Sequence, residues 1–502
     1  MSYSSIDSTT NSYSHIIKVM SIFGGVQVLL VVIGIIKSKF IAVYIGPSGV
    51  GELALFTSAI SIIFLVSSFG FGYSATRQIA IEHKENRVHE IRIILSIVTK
   101  WLLVLSILTS IIIILLSSRI SNMIFGNLSK TIQFMFLSIA IIFMVFKGRN
   151  DFFLQGMGHY SKLAKSKSFG ALFGLIVSMP IYYYLGIEAI PIVIVLGAII
   201  MYMTSTYYFK KLNLQRVKIN SKQTFQRGIE MAKLGLVMVG GQIFGAIVIN
   251  SINIFISSSG SVSDLGLYNA GISITTGYVG MIFTAMSVEL LPRLSSVSYD
   301  NKQISSMVNQ QSEILLIVLL PLLVIMIYLA PLMIKILLTD EFSNITLFIR
   351  IMALTLIIRV PAFTIGYIPI AKGEKRIFFI YNSFLPGIFA MIFSMLGYYY
   401  FNLTGLAFAS VLTSFIHFLL LFYKCYHLYG FKFSNKHTYH LFVTLSTLLM
   451  AIIVVELLPS SVFFIAFGAT LIFLSIYHSY YNLNKLIDIK HTVKSLVSRI
   501  RI

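Results

Sequence analysis

SEILLIVLLPLLVIMIYLA, residues 312–330, carries a single charge, Glu313, at its very start and is otherwise continuously apolar. A helix rises about 1.5 Å per residue, so a run of this length crosses the roughly 30 Å hydrocarbon core of a bilayer. The run has no period-2 alternation, which argues against a barrel strand. The α-helix is then the structure that satisfies every backbone polar group within lipid. IIIILLSS (111–118) reads the same way. Windows of about 19 residues place fourteen such spans near 16–45, 53–75, 93–117, 131–153, 168–185, 189–209, 232–256, 266–291, 313–338, 345–370, 378–401, 403–425, 440–458 and 462–481. The pattern predicts an all-α polytopic membrane protein of about fourteen transmembrane helices. Composition agrees: of 502 residues 57% are apolar and 11% charged, against about a quarter charged in soluble domains.

The formal charge of +21 is read by its placement, since Lys and Arg are retained on the cytoplasmic side of a membrane. With the N-terminus inside, 30 of the 38 Lys and Arg fall in inner segments, two (Arg119 and Lys130) in outer loops, and six within spans. This bias predicts both termini in the cytoplasm, and it assigns the positive charge to the membrane surface rather than to nucleic acid. The polar first 15 residues precede an apolar stretch too long for a signal-peptide core, so the first helix is expected to remain. Cys425 is the single cysteine, which excludes an intrachain disulfide and a multi-cysteine metal site.

A basic stretch, KKLNLQRVKINSKQTFQRGIEMAK (210–233), divides the spans into six, six and two. The organisation expected is a cytoplasmic tail (1–15), a six-helix bundle (16–209), a basic linker (210–231), a second six-helix bundle (232–425), an extra helix pair (426–481) and a basic cytoplasmic tail (482–502). A shift of 215 residues aligns Lys18 with Lys233, Gly25 with Gly240, Gln27 with Gln242, Gly51 with Gly266 and Gly158 with Gly373, several of them at turns. Six helices preserve orientation, so the repeat is parallel, a pseudo-two-fold relation about the membrane normal.

No phosphate-binding glycine loop, HExxH or GxSxG occurs, and no cofactor or metal is expected. The informative residues are charges within spans, since a lone Lys or Arg at a helix centre costs at least about 2.5 to 3.5 kcal/mol. Lys37 and Lys39 lie in the first helix, two residues and about 200° apart, so at most one faces a lumen squarely. Arg359, just before Val360-Pro361, is the deepest cation; the proline permits a kink of the kind that lines cavities. Arg350 is a further cavity candidate. Lys100 and Lys335 read as interfacial, and Lys147 and Arg149 as loop residues. Acids in or beside spans (Glu52, Glu188, Glu289, Glu341, Glu456) all lie near an end. Glu52 and His417, midway along the twelfth helix, are the candidates for proton coupling. His437 and His440 read as solvated loop histidines. The first helix has no carboxylate of the kind an ion-coupled drug exporter needs, and the short outer loops argue against a membrane enzyme.

Three stretches carry a family likeness: KSKFIAVYIGPSGVGELALFTSAIS (37–61) with FGFGYSATRQIA (69–80), SDLGLYNAGISI (263–274), and TDEFSNITLFIRIMALTLIIRVPAFTIGYIPIAKGEKRIFF (339–379). They resemble the oligosaccharide flippases, the O-antigen translocases, of the multidrug/oligosaccharidyl-lipid/polysaccharide exporter superfamily. The resemblance implies a bacterial inner-membrane flippase with two bundles around a central cavity and alternating access. Its cargo would be an undecaprenyl-diphosphate-linked oligosaccharide, with a polysaccharide polymerase and a chain-length regulator as protein partners. Cavity cations meeting the diphosphate or acidic sugars map onto Lys37 or Lys39 and Arg359. Turn or gating roles map onto Gly46, Pro47, Gly51, Arg77, Gly266 and Pro361. Lipid II flippases, which also have the extra helix pair, show Arg-Asp where this chain has Lys37-Ser38. A lipid II flippase and a multidrug exporter on the same fold are the alternatives.

Overall fold

The computed structural model describes residues 5–457 and 462–486, and every regular element among them is helical. The ends of the expected tails (1–4 and 487–502) and residues 458–461 lie outside the described residues. The chain divides into two compact units, Met1–Gly266 and Leu267–Ile502.

The first unit opens with helical residues from Ser5 to Ser68, two helices meeting at Gly46 (φ 58°, ψ −171°). That backbone conformation is essentially open to glycine alone, and Pro47 follows at the first position of the second helix, where its missing N–H leaves nothing unpaired. The first helix starts at Ser5, upstream of the expected residue 16, because helix formation does not stop where hydropathy falls. The second helix breaks at Phe69 (φ 48°) and Gly70 (φ 72°) before continuing as Phe71–Lys84, inside the expected 53–75 span. The third to seventh helices are Val88–Phe125, Thr131–Gly156, Tyr160–Leu185, Ala189–Lys210 and Ser221–Ser259.

Much of the basic linker is therefore helical, because Asn220 caps the seventh helix by accepting from Lys222 N. The extended remainder is strapped to the third helix. Lys100 Nζ donates to Ile219 O at 3.2 Å and Val217 N to Ser96 Oγ at 2.9 Å. Trp101 Nε1 donates to Thr224 O at 3.0 Å, with its ring between Phe71 and Phe225.

The eighth helix (262–296) includes a π-helical stretch, Ser273–Val279. In the second unit the ninth helix, Asn301–Leu337, is capped by Asp300, whose carboxylate accepts from Lys302 N (2.9 Å) and Gln303 N (3.1 Å). The Gln303 N–H is the chief cause holding that carboxyl below its ordinary range. The tenth helix is Thr346–Ala371. The eleventh and twelfth cover 375–429 and turn at Asn402 (φ 52°, ψ −138°), the eleventh containing a π-helical turn, Phe379–Phe384. Asn435–Leu457 and Val462–Leu486 complete fourteen helices among the described residues, matching the fourteen expected spans. Nine stretches among the described residues are long and apolar enough to cross a bilayer, three of them holding two helices each. Outward-facing apolar side chains such as Leu115 and Ile132 are 73% and 77% exposed, which only a lipid solvent tolerates at this density. The protein is an all-α, multi-pass membrane protein.

Within the first unit, a Cβ on Gly51 would collide with the backbone of Val262, and one on Gly266 with the Pro47 carbonyl. Two backbones thus touch at positions that the 215-residue shift aligns. Gly266→Val is expected to destabilise the fold by about 1 to 3 kcal/mol or more through overpacking, read as a lower thermal midpoint of the detergent-solubilised protein. An unchanged midpoint would contradict the close approach.

Candidate transport site

Accessibility and crowding together sort the intramembrane charges. A cation that faces lipid is open but has little protein around it, whereas a cation on a wet wall is open and crowded. Lys37 in the first unit is exposed yet closely surrounded by protein, with no hydrogen bond or ion pair among the described residues. Lys39, two residues on, is half-buried. In the second unit Arg359 has the same combination of exposure and crowding. Its guanidinium carbon lies 5.6 Å from the centroid of the Phe283 ring, a cation–π contact, and it has no carboxylate partner among the described residues. Phe283 in turn packs edge-on against Phe363, and Phe363 against Tyr367.

His417 is half-buried, with its Nε2 lacking a hydrogen-bond partner, and it lies within electrostatic reach of Arg359. The structure thus brings Arg359 and His417 together within one unit. Thr355, one turn before Arg359, and Thr413, one turn before His417, also carry buried hydroxyls without partners. Pro361 does not break the tenth helix, which runs unbroken to Ala371, and Thr364 Oγ1 bonds the Val360 and Pro361 carbonyls at 3.2 Å each.

Two residues singled out by sequence, Arg350 as a cavity cation and Glu52 for proton coupling, take part in ion pairs. Arg350 donates from Nη1 to Glu456 Oε1 at 2.8 Å and from Nε to Ile327 O at 3.3 Å, so it ties the ninth, tenth and thirteenth helices. Glu52 pairs with Lys130 at 2.5 Å, and Lys130 lies 3.8 Å from Glu188. Glu52 thus joins helix ends within the first unit through Lys130. Gly46, Pro47, Gly51 and Gly266 gather at one packed corner, while Arg77 is exposed on the segment after the Phe69–Gly70 break.

The sequence reading missed a polar cluster in the fourth helix. Lys147 and Arg149 lie within Thr131–Gly156 rather than in a loop, and Asp151 beside them is buried. The Lys147–Asp151 ion pair spans 2.6 Å. Arg149 donates to Asn150 Oδ1 (2.6 and 3.2 Å) and lies over the Phe146 and Phe209 rings. A helical wheel drawn over the whole 131–153 span would have signalled this, since Lys147 and Asp151 are one turn apart. His437 and His440 are likewise buried in the thirteenth helix and not solvated. His437 Nε2 lies 2.9 Å from Ser312 Oγ, and its ring stacks on Phe433. Among the described residues no cluster of His, Cys, Asp and Glu could hold a metal ion.

Fourteen helices among the described residues, with an exposed Lys37 in the first and an exposed Arg359 in the tenth, fit the architecture of a multi-pass membrane transporter. The family described as polysaccharide biosynthesis protein matches residues 40–347, more than half of the sequence, and the chain belongs to that family. It is similar to the Lipid III flippases of Escherichia coli (strain K12) and Shigella flexneri, 23% identical in each case over 368 residues, covering 69% of this chain and 83% of the relative. Among solved structures it resembles the Lipid II flippase MurJ in an inward closed conformation, with a TM-score of 0.70, 16% identity, and coverage of 92% of this chain and 98% of that one. It also resembles an inward-facing multidrug resistance MATE family transporter of the MOP superfamily, with a TM-score of 0.64, 14% identity, and coverage of 80% and 95%. At these identities the structural likeness is one of fold.

Arg350 and Arg359 are expected to separate in stability measurements. Arg350→Ala breaks a partly exposed pair and should destabilise the protein by about 0.5 to 1 kcal/mol, whereas Arg359→Ala, which breaks no ion pair, should leave the thermal midpoint unchanged. The reverse order would overturn the sorting.

Proposed function

We propose that the protein is a flippase, not an enzyme, that moves an undecaprenyl-diphosphate-linked oligosaccharide from the inner to the outer leaflet of a bacterial cytoplasmic membrane. Arg359 carries this reading: a deep, open guanidinium without a carboxylate partner among the described residues suits an anionic cargo and gives a cationic drug nothing to bind. Lys37 supplies a second cation of the same kind, with Lys39 beside it. A phosphate oxyanion meets such groups through charge-assisted hydrogen bonds, and a guanidinium can engage it with two parallel N–H donors. Family membership and the names of the similar flippases support a lipid-linked precursor as cargo.

Transport by alternating access would use two six-helix halves, 16–209 and 232–425, a division supported by the 215-residue repeat. The 30-to-2 placement of Lys and Arg supports cytoplasmic termini. His417, within reach of Arg359, and Glu52, paired with Lys130, are the candidates for proton coupling. The corner of Gly46, Pro47, Gly51 and Gly266, with Arg77 and Pro361, would act in turning or gating. A second reading, lipid II as cargo, is favoured by the fold likeness to MurJ.

The test is flipping in proteoliposomes of a fluorescent polyprenyl-diphosphate-linked saccharide, read by the fraction an impermeant reductant bleaches. Lys37→Ala and Arg359→Ala should each slow flipping by about 10- to 100-fold, the equivalent of losing a charge-assisted bond of about 1.5 to 3 kcal/mol, and Arg359→Lys should restore part of the rate. Wild-type rates in both alanine variants would remove the cationic reading. Faster flipping of lipid II than of other diphosphate-linked sugars would select the second cargo.

A further inference from the structure

A cavity of about 360 Å³ in the first unit lies among the second, fourth and sixth helices, with Thr57, Ser61, Phe64, Lys147 and Met201 in its wall. Lys147 is the one charged residue that lines it. In the structure its ammonium is held by Asp151 Oδ2 at 2.6 Å, while Asp151 Oδ1 accepts from Ser205 Oγ at 3.1 Å. Lys167, on the fifth helix, acts electrostatically on both members of the pair. Arg149 has Asn150, Thr99 and two aromatic faces around it and no carboxylate among the described residues.

The cluster thus holds three cations, Lys147, Arg149 and Lys167, and Asp151 is the one carboxylate bonded to any of them among the described residues. Uncompensated charge among buried groups is unfavourable, and Arg149 and Asp151 are both buried, so the cluster is short of anions. The pair is also asymmetrically placed. Lys147 opens on the cavity and is 27% exposed, whereas Asp151 is 12% exposed and does not line the wall.

We propose that this cavity is an oxyanion-binding site in which Asp151 is a resident counter-ion: a carboxylate or phosphate group of the ligand takes over the Lys147 ammonium, and Asp151 re-pairs with Lys167. The cavity volume suits a single sugar or phosphate group rather than a lipid tail. Phe64 offers a ring face for stacking, and Thr57 and Ser61, whose hydroxyl protons go to their own helix, can accept from sugar hydroxyls, which leaves the Lys147 ammonium as the donor to the oxyanion. Exchange of one ion pair for another keeps the number of buried charges balanced, which is what makes the swap feasible in a low-dielectric wall. This deepens the anionic-cargo reading above and rests on it for the physiological ligand.

The test is a titration of the full-length protein in nanodiscs with methyl glucuronide, inorganic phosphate and, as the neutral control, methyl glucoside, followed by calorimetry. One or both anions should bind and the glucoside should not; the tighter anion identifies the source as acidic sugar or phosphate. Asp151→Asn removes the internal competitor and should tighten anion binding about tenfold. Lys147→Ala should abolish binding and make Asp151→Asn without effect. Lys167→Gln takes away the cation that receives Asp151 and should weaken binding severalfold, while Lys165→Gln, an exposed neighbour, should change nothing. Should Asp151→Asn fail to fold, the Lys167 and Lys165 pair decides alone. Weaker or unchanged anion binding in Asp151→Asn, an equal gain for methyl glucoside, or identical effects of the two lysine variants would overturn the proposal. Intact lipid flipping alongside such a result would remove counter-ion exchange only and leave the flippase reading standing.

Discussion

A charge carried into the hydrocarbon depth of a membrane must be either paired or wetted, because lipid offers it nothing else. The structure meets this constraint in both ways and keeps the two sets of residues apart. Lys130 with Glu52, Lys147 with Asp151 and Arg350 with Glu456 are paired across helices or one turn along a helix. Lys37 and Arg359 are open and crowded by protein instead. The paired set joins residues within each unit, Lys37 and Arg359 have no ion pair among the described residues, and the proposed function starts from that division.

A second constraint is the turn. Three connections turn sharply at one residue, Gly46, Asn402 and Gly186, the last opening a short 3-10 turn to Glu188, each with φ between 52° and 58° and an extended ψ. Such turns bring consecutive helices into contact along their length and leave few mobile loop residues. Freedom to rearrange must then come from within the helices. The Phe69–Gly70 break and the π-helical stretches Ser273–Val279 and Phe379–Phe384 are where hydrogen bonding departs from the regular α pattern, and such departures mark functional positions more often than chance. Asn382, inside one of them, bonds the Gly366 carbonyl of the tenth helix, seven residues beyond Arg359.

The helices themselves were legible because apolar runs of membrane length are a property of contiguous sequence. All fourteen spans appear as helices, and the tight turns at Gly46-Pro47 and Asn402 were visible as residue types that accept positive φ. The site was only half legible. The burial of Asp151 and its pairing with half-buried Lys147 escaped notice because averaging over a window reads charges at the inner end of the 131–153 span as the start of the next loop, whereas the fourth helix continues to Gly156. The same averaging put His437 and His440 in a loop. Arg350 looked like a cavity cation because its partner, Glu456, is 106 residues away, and Glu52 looked free for the same reason. Long-range pairing is decided by packing, and no local pattern records it.

The central claim, that Arg359 stands on a wet wall exposed in turn to each side of the membrane, is tested most directly by thiol labelling. In protein carrying Cys425→Ser and Arg359→Cys, reconstituted in oriented vesicles, an impermeant thiol reagent should react at position 359 from either side, and a polyprenyl diphosphate should protect it. Labelling by membrane-permeant reagents alone, from neither aqueous side, would place position 359 against lipid and contradict the account.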